Sequence, residues 1–434
     1  MSGVPIFVLF GGMVALMFLG IPLAFSIFAA SAAVLLVYTD LPLWQIMQRF
    51  FSGVDSFVLT AIPFFLLAGN LMNSGKITDK LINLSSVMVG HLRGGLAHIN
   101  VLVSLLFGGI SGSAVADTSG IGTILIPAMV KKGYTASFTV AVTATSSVLG
   151  QIIPPSLIMI VYASTASVSV QAMFIAGIVP GILLALSMMI VSYIYAVKYD
   201  YPREERRTFR DFVRAINDSI LILIMPFIII GGVLTGIFTA TESAAIAVLY
   251  SLIITLFVDK TLKPKDLVPI FINTAKGTAT TLLCIGAATA FGYLLAYFRG
   301  AEYVLRLLEA MNLTQSGFIV FLIVLFAIVG MFMDATPAIC IFVPIIAPIG
   351  MEMGLNGIHL GMIICLLLAF GLVTPPYGLC FLLGCQIGKI APPAVFRDLG
   401  VFLLAVLITV LVVIFAPGLI LWLPGIVVPQ VVGG

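Results

Sequence analysis

The chain has 434 residues, of which 61% are hydrophobic and only 9% are charged. Together with a mean hydropathy of +1.25, this composition excludes a soluble globular protein and predicts an integral membrane protein. The net charge is only +3, and the basic residues are interleaved with acidic ones, so nucleic acid is not expected as a partner.

Long apolar stretches follow one another along the chain, at residues 4–38, 57–72, 174–197, 220–238 and 401–423. A helix needs roughly 20 residues to cross about 30 Å of hydrocarbon, and these stretches reach or approach that length. The strands of a membrane barrel would be about 10 residues long with alternating polarity, whereas these stretches are continuous and rich in Leu, Ile and Ala. We therefore predict an all-α fold.

The charged residues predict the topology. No basic residue precedes Arg49, so the first apolar stretch lacks the charged start of a cleavable signal peptide. We expect this stretch to be retained, with the N terminus outside. Six basic residues lie between Lys198 and Arg214, and the positive-inside rule therefore places the loop at residues 198–217 in the cytoplasm.

One pattern occurs twice in the chain. A carboxylate, a proline and a glycine occur as Asp117, Pro127 and Gly133, and they recur with identical spacing as Asp334, Pro344 and Gly350. A proline pair also occurs twice, as Pro154-Pro155 and Pro375-Pro376, with a short insertion separating its register from that of the first set. We therefore predict two inverted repeats, residues 1–197 and 218–434, as in secondary transporters with broken helices.

Two amphipathic segments, residues 77–99 and 263–276, carry charges among apolar residues. We expect both to lie at the membrane interface, where they would be matching arms between a fixed scaffold and a mobile unit. Ordinary surface helices are the alternative.

Glycines and small hydroxyl residues interrupt the apolar sequence at residues 107–122. Irregular backbone persists in a membrane only where it is buried in protein or lines a watery cavity. The pattern therefore predicts a re-entrant hairpin at about residues 104–130, with its tip near Ser111 to Ser113, and a second hairpin at about residues 328–350. The proline pairs predict broken helices at about residues 136–165 and 359–390, with carbonyl groups freed before each pair. Simple kinks packed with small residues are the alternative.

Sodium prefers oxygen ligands, and unwound carbonyls and helix ends supply them. Each repeat would assemble one cation site from a hairpin tip and a broken helix, which predicts two sites and no organic cofactor. The three histidines lie at segment ends, so sodium is a better candidate than protons for the coupling ion. Glu242 is interpreted as a helix cap, and the five cysteines as small core residues.

Five motifs, in order, resemble those of the large membrane subunit of tripartite ATP-independent periplasmic (TRAP) transporters, the DctM-like family. They lie at residues 61–70, 108–117, 124–129, 152–156 and 236–242. The resemblance covers nearly the whole chain and implies an elevator-type, sodium-coupled importer in the bacterial inner membrane. It also implies a periplasmic binding protein that delivers an organic anion, and a small four-helix membrane subunit, here expected to be a separate chain.

The resemblance also implies site residues. The predicted sodium ligands are Ser111, Gly112, Ser113, Asp117, Ser147, Gly150, Ile153 and Pro154 in the first repeat, and Gly330, Met333, Asp334, Gly371, Thr374 and Gly378 in the second. The predicted substrate residues are Ser113, Ala114, Pro155, Asp334, Thr336 and Pro376. Sialic acid, another sugar acid or a dicarboxylate are the candidate substrates. Dicarboxylate-type members carry a non-acidic residue at the position of Asp117, which weakens that assignment.

Two other classes of protein remain open from the sequence. An intramembrane aspartyl protease would use two membrane aspartates that share a proton, although neither Asp117 nor Asp334 has the expected glycine-rich context. The permease subunit of an ATP-driven pump would need a separate ATPase, since the chain carries no phosphate-binding loop motif.

Overall fold

The computed structural model describes residues 4–74, 77–300, 302–303, 306 and 314–429. Within those ranges the protein is helical and contains no strand. The helices are α1 (Val4–Phe18), α2 (Leu23–Tyr38), α3 (Trp44–Val54), α4 (Ala61–Ser74), α5 (Ile77–Val89), α6 (Gly95–Ser111), α7 (Ala114–Lys131), α8 (Ala136–Ser146), α9 (Leu149–Ile152), α10 (Leu157–Ala166), α11 (Val170–Lys198), α12 (Phe209–Leu234), α13 (Ala240–Ile253), α14 (Pro264–Tyr297), α15 (Gln315–Phe332), α16 (Ala335–Glu352), α17 (Gly357–Gly371), α18 (Leu379–Gly388), α19 (Phe396–Phe415) and α20 (Pro417–Val427). The all-α prediction is confirmed.

The chain is a multi-pass membrane protein. In the described part, seven helices are long and apolar enough to cross a membrane, or nine if each of two bent helix pairs forms one span. The predicted stretch at residues 4–38 is two helices rather than one, because the chain turns at Gly20, whose φ of +83° suits a residue without a Cβ. All five cysteines are free and buried, as expected of small core residues.

Among the described residues, seven helices form one group, which we call the scaffold: α1–α4 and α12–α14. In this group α14 packs against α2, α3 and α4, and α4 also packs against α13. The remaining helices from α6 to α11 and from α15 to α20 form a second group, the hairpin unit. The two groups meet where α14 packs on α16 and where α4 packs on α6, and α5 bridges them because it packs on both α6 and α12.

One end of the molecule is marked by the charged linker between the two halves. The backbone N–H of Glu204 in the linker donates to the carbonyl oxygen of Gly90 at 3.0 Å, just before α6. The hydroxyl of Tyr134, just after α7, donates to the carbonyl oxygen of Pro202 at 3.2 Å. Both ends of the α6–α7 hairpin therefore lie at the linker end of the molecule.

The second hairpin has its base at the opposite end. The first broken helix runs away from the linker, from Ala136 to Ala166, with a bend of 42°. Near its far end, the hydroxyl of Tyr162 donates to the carbonyl oxygen of Gly357 at 2.8 Å. Gly357 begins α17, directly after the α15–α16 hairpin. The bases of the two hairpins therefore lie at opposite ends of the molecule, which is the arrangement expected of inverted repeats.

The two predicted arms differ in structure. Ile77–Val89 forms the separate helix α5, whereas residues 263–276 form the first part of the 34-residue helix α14. The prediction of matching arms at these two places is therefore wrong. In chain order, the amphipathic start of α14 corresponds to α3, because α3 follows α2 and α14 follows α13.

The register of the repeat also differs from the prediction. Helix α7 runs from Ala114 to Lys131 and α16 from Ala335 to Glu352. The two helices are therefore separated along the chain by the same number of residues as the two proline pairs. The left-handed glycines that follow them, Gly133 and Gly354, match in that same register.

Helix ends and turns fix the register, so three predicted equivalences are wrong. They are those of Asp117 with Asp334, of Pro127 with Pro344 and of Gly133 with Gly350. The starts of α2 (Leu23) and α13 (Ala240) are separated by the same number of residues as Asp117 and Asp334. The insertion in the second half therefore lies after the start of α13 and before the second hairpin.

Candidate functional site: two hairpin tips against two broken helices

The tip of the first hairpin is made by glycine and serine. Helix α6 ends at Ser111, and Gly112 follows it with a left-handed φ of +62°, a conformation that glycine adopts without strain. Ser113 is then extended and caps α7, because its hydroxyl accepts from the backbone N–H of Ala116 at 3.4 Å. The chain therefore reverses direction over two residues between two helix ends.

This tip lies directly against the first broken helix. A Cβ on Gly150 would lie 3.0 Å from the carbonyl oxygen of Ser113, and a Cβ on Gly112 would meet the carbonyl oxygen of Pro155 at 2.6 Å. The fold thus brings Gly112 and Ser113 into contact with the segment at 150–155. This contact needs glycine on both sides, because there is no room for a side chain.

The backbone after Ile152 leaves the helix at the proline pair. Ile153 is extended, with φ −77° and ψ 128°, and the peptide bond between Pro154 and Pro155 is cis. α10 resumes at Leu157, with the hydroxyl of Ser156 accepting from the N–H of Met159 at 3.4 Å. Because the backbone is not helical here, carbonyl oxygens in this break lie outside the regular hydrogen-bond pattern of a helix. Oxygen ligands for a cation would be arranged in the same way.

The second hairpin and the second broken helix repeat this contact. A Cβ on Gly330 would lie 3.1 Å from the Cα of Gly371, and a Cβ on Gly371 would overlap the carbonyl carbon of Gly330. Met333 is extended between α15 and α16. The hydroxyl of Thr374 donates to the carbonyl oxygen of Phe370 at 2.8 Å, and the N–H of Gly378 donates to the carbonyl oxygen of Thr374 at 3.1 Å.

The two repeats interlock across their symmetry. α7, the second helix of the first hairpin, packs against α18 in the second broken helix, and α16 packs against α10 in the first. Each half therefore packs against the hairpin of the other, which brings both tips and both breaks into one assembly.

The two predicted acids have opposite surroundings. Asp117 is fully buried, and neither of its carboxylate oxygens makes a hydrogen bond within the described residues. Asp334 is exposed and is the residue before the first turn of α16, whose free N–H groups favour a negative charge. A shared proton requires a hydrogen bond between the two carboxyl groups, so the arrangement does not support an aspartyl protease.

A cavity of about 640 Å³ lies beside the tip of the second hairpin. Met333, Asp334, Thr336 and Pro337 line it from the hairpin, and the start of α2 and the middle of α14 line it from the scaffold. The structure thus brings Asp334 and Thr336, but not the other predicted substrate residues, to this cavity. Those others are Ser113, Ala114, Pro155 and Pro376, of which Ala114 and Pro155 are buried and Pro376 is exposed elsewhere.

Sequence reasoning missed a buried polar chain inside the first repeat. The hydroxyls of Ser104 and Ser146 lie 3.0 Å apart, the Ser146 hydroxyl donates to Asn100 at 3.1 Å, and the amide of Asn100 donates to Thr143 at 2.7 Å. All four side chains are buried. The spacing of these residues along α6 and α8 is that of an ordinary helix. Such spacing does not predict that the two helices contact each other.

Comparison with known proteins places these features in one family. The model of the DctM component of the tripartite ATP-independent periplasmic transporter matches residues 10–419. The chain is 38% identical to the uncharacterized protein YgiK of Salmonella typhimurium, covering 98% of each chain. It is 32% identical to the sialic acid TRAP transporter large permease protein SiaM of Vibrio cholerae, covering 95% of this chain and 97% of SiaM.

The fold is also similar to that of the YdaH transporter of Alcanivorax borkumensis. The TM-score is 0.58 at 15% identity, covering 85% of this chain and 86% of YdaH.

Proposed function

The chain belongs to the DctM family of tripartite ATP-independent periplasmic transporters, and on that premise we propose that it is the large subunit of a sodium-coupled importer of an organic anion. It is a transporter component and not an enzyme. The observation that carries the proposal is the pair of glycine contacts, Gly112–Ser113 on the first break and Gly330 on Gly371.

Each of these contacts supports one sodium site. The tip and the break together offer carbonyl and hydroxyl oxygens, which are the ligands that a hard cation prefers. In the first repeat, the site would draw on Ser111, Ser113, Asp117, Ser147 and the carbonyls before Pro154. In the second, it would draw on Met333, Asp334, Thr374 and the carbonyls after Gly371. Sodium binding would hold each tip on its break and so organise the space for the anion.

The anion would bind beside the second tip, in the 640 Å³ cavity. The N–H groups at the start of α16 and the hydroxyl of Thr336 are donors for a carboxylate. Bound sodium would offset the charge of Asp334. A relative named for sialic acid supports a sugar acid as substrate, and a dicarboxylate is the alternative.

We infer that transport proceeds by an elevator motion, in which the hairpin unit moves against the scaffold. The separation of the chain into two helix groups that meet mainly through α14–α16 and α4–α6 supports this motion. A periplasmic binding protein would deliver the anion, and a small four-helix membrane subunit would complete the complex in the bacterial inner membrane.

The test is uptake by purified subunits in liposomes, with the binding protein outside. An inward sodium gradient without ATP is expected to drive uptake of N-acetylneuraminate or succinate. Replacing sodium by choline is expected to abolish it. Uptake that persists in choline, or that follows only pH, would show that sodium is not the coupling ion, and uptake that needs ATP would favour a pump.

A further inference from the structure

Arg49 occupies an unusual position on the scaffold. Its guanidinium carbon lies 4.1 Å from the centroid of the Tyr293 ring, and the side-chain amide of Gln45 donates to the Tyr293 hydroxyl at 3.0 Å. The ring is thus held by its hydroxyl while its face stacks on the guanidinium. Stacking uses the face of a guanidinium and leaves its N–H groups available as donors.

This arginine has no acidic partner among the residues that the structure describes. Its Nε atom is buried and makes no hydrogen bond within that part of the chain. The ion pairs among the described residues are Lys80–Asp259 and Arg299–Glu302, so Arg49 is in neither. A half-buried cation without a counter-charge at a helix interface is costly unless an anion or water satisfies it.

Arg49 lines a cavity of about 470 Å³ between the scaffold and the hairpin unit. α3 and α14 form one wall, and Ser164, Thr165, Cys340 and Pro344 from α10 and α16 form the other. Among the described residues, none that lines this cavity is acidic. None of them also lines the 640 Å³ cavity. It lies toward the end opposite the linker, because Thr165 is in the last turn of α10.

The hydroxyl groups around Arg49 suit an oxygen-rich anion. Ser52, Ser56 and Ser164 line the cavity and make no side-chain hydrogen bond to described residues, so their hydroxyls are free to donate. The hydroxyls of Thr165 and Thr289 donate to carbonyl oxygens of their own helices, at 2.7 Å and 2.9 Å, and so remain acceptors. A carboxylate would take the arginine and serine donors, and substrate hydroxyls would take the threonine oxygens.

We propose that Arg49, Ser52, Ser56 and Ser164 form a second anion site, which receives the carboxylate of the transported acid on the outer side before it reaches the hairpin tips. This inference rests on the proposed function. Because the site joins the scaffold to the hairpin unit, its occupancy would also link anion arrival to the contact between the two units.

The first test is transport kinetics of Arg49→Gln in proteoliposomes, using whichever of N-acetylneuraminate and succinate the unmodified protein takes up. The KM is expected to rise at least tenfold, with the half-saturating sodium concentration within twofold. Arg49→Lys, which keeps the charge but loses the planar fork, should give a smaller rise. Arg397→Gln, an exposed arginine at the opposite end, is the matched control and should leave the KM unchanged. A KM for Arg49→Gln within twofold of the unmodified protein would overturn the proposal.

The second test does not require transport. Phenylglyoxal modifies accessible, unpaired arginines, and mass spectrometry measures the modified fraction at Arg49 and at Arg397. N-acetylneuraminate or succinate is expected to slow modification at Arg49 at least fivefold and to leave Arg397 unaffected, whereas neutral erythritol should protect neither. Equal modification with and without both acids would overturn the anion site. If the unmodified protein takes up neither acid but one acid protects Arg49, the proposed function fails and the anion site stands.

Discussion

Ser113 and Asp334 occupy equivalent places in the two halves of the molecule. Each is the extended residue before the second helix of its hairpin, and in each half a single residue separates it from the end of the first helix. One tip thus carries a hydroxyl and the other a carboxylate. The two hairpin tips therefore differ in charge although their backbones match.

This difference predicts unequal effects of neutral substitutions at the tips. Asp334→Asn removes a charge that a cation would share, and we expect the half-saturating sodium concentration for uptake to rise at least tenfold. Ser113→Ala removes only a hydroxyl, and we expect a rise of about threefold. Uptake measured against sodium concentration tests both. Asp211→Asn, in an exposed capping box of α12, is the control, and equal sodium curves for all variants would contradict the assignment.

Asp117 provides a separate test of sodium binding. Its carboxylate is fully buried and has no hydrogen-bond partner among the described residues, so a bound cation is the expected source of its stabilisation. A ligand at 100 times its Kd stabilises a folded protein by about 2.7 kcal/mol. We expect sodium to raise the Tm of the purified protein, and Asp117→Asn to reduce that rise by at least half.

The same variant also has a diagnostic result in the absence of sodium. Asparagine removes the cost of a buried charge, so Asp117→Asn should be at least as stable as the unmodified protein in choline chloride. A sodium-induced rise in Tm that is the same in both proteins would show that Asp117 does not contact the ion.

The glycine contact in the second repeat predicts a stability effect. A Cβ on Gly371 would overlap the backbone of Gly330, so Gly371→Ala is expected to destabilise the protein by about 1–3 kcal/mol. Gly231→Ala is the matched control, because a Cβ there would meet nothing within 4 Å. Thermal unfolding in detergent compares the two. A Tm for Gly371→Ala as high as that of Gly231→Ala would mean that the contact is looser than described.

The inverted arrangement predicts the sides from which residues can be labelled. Lys132 lies at the base of the first hairpin and Met353 at the base of the second. In intact cells, a membrane-impermeant thiol reagent should label Met353→Cys but not Lys132→Cys, which should react only after permeabilisation. The five native cysteines are buried and give a low background. Labelling of both from outside would rule out the inversion.

The salt bridge between Lys80 and Asp259 links α5 to the end of the helical segment after α13, at 2.6 Å. Both side chains are partly exposed, so the pair is expected to contribute at most about 1 kcal/mol. Lys80→Met should lower the Tm by only a few degrees. A double-mutant cycle with Asp259→Leu measures the coupling, and a coupling energy near zero would show that water already screens this pair.

Much of the architecture follows from the amino-acid sequence. Apolar length predicted the membrane class and the helices, and the Thr239–Glu242 pair indeed forms the capping box expected from its spacing. The glycine-rich segment and the proline pairs lie where the structure has its hairpin tip and its breaks. These features are local, because backbone conformation there depends on residues within one helical turn.

The register of the repeat could not be obtained in this way. The predicted register aligned residue types, whereas the helix ends align in the register of the proline pairs. A carboxylate one turn further along a helix has different neighbours, which is why Asp117 is buried and Asp334 faces a cavity. Identity of residue type does not report which contacts a residue makes in the folded chain.

Hydrophobic length, glycine and proline act locally on the backbone, so an all-helical membrane protein with hairpins and broken helices could be predicted from the amino-acid sequence. Which surfaces meet depends on the tertiary fold: α7 with α18, α16 with α10, and Arg49 with Tyr293. Those contacts join residues far apart in the chain, and they depend on how apolar helices of similar composition pack, which composition and spacing do not distinguish.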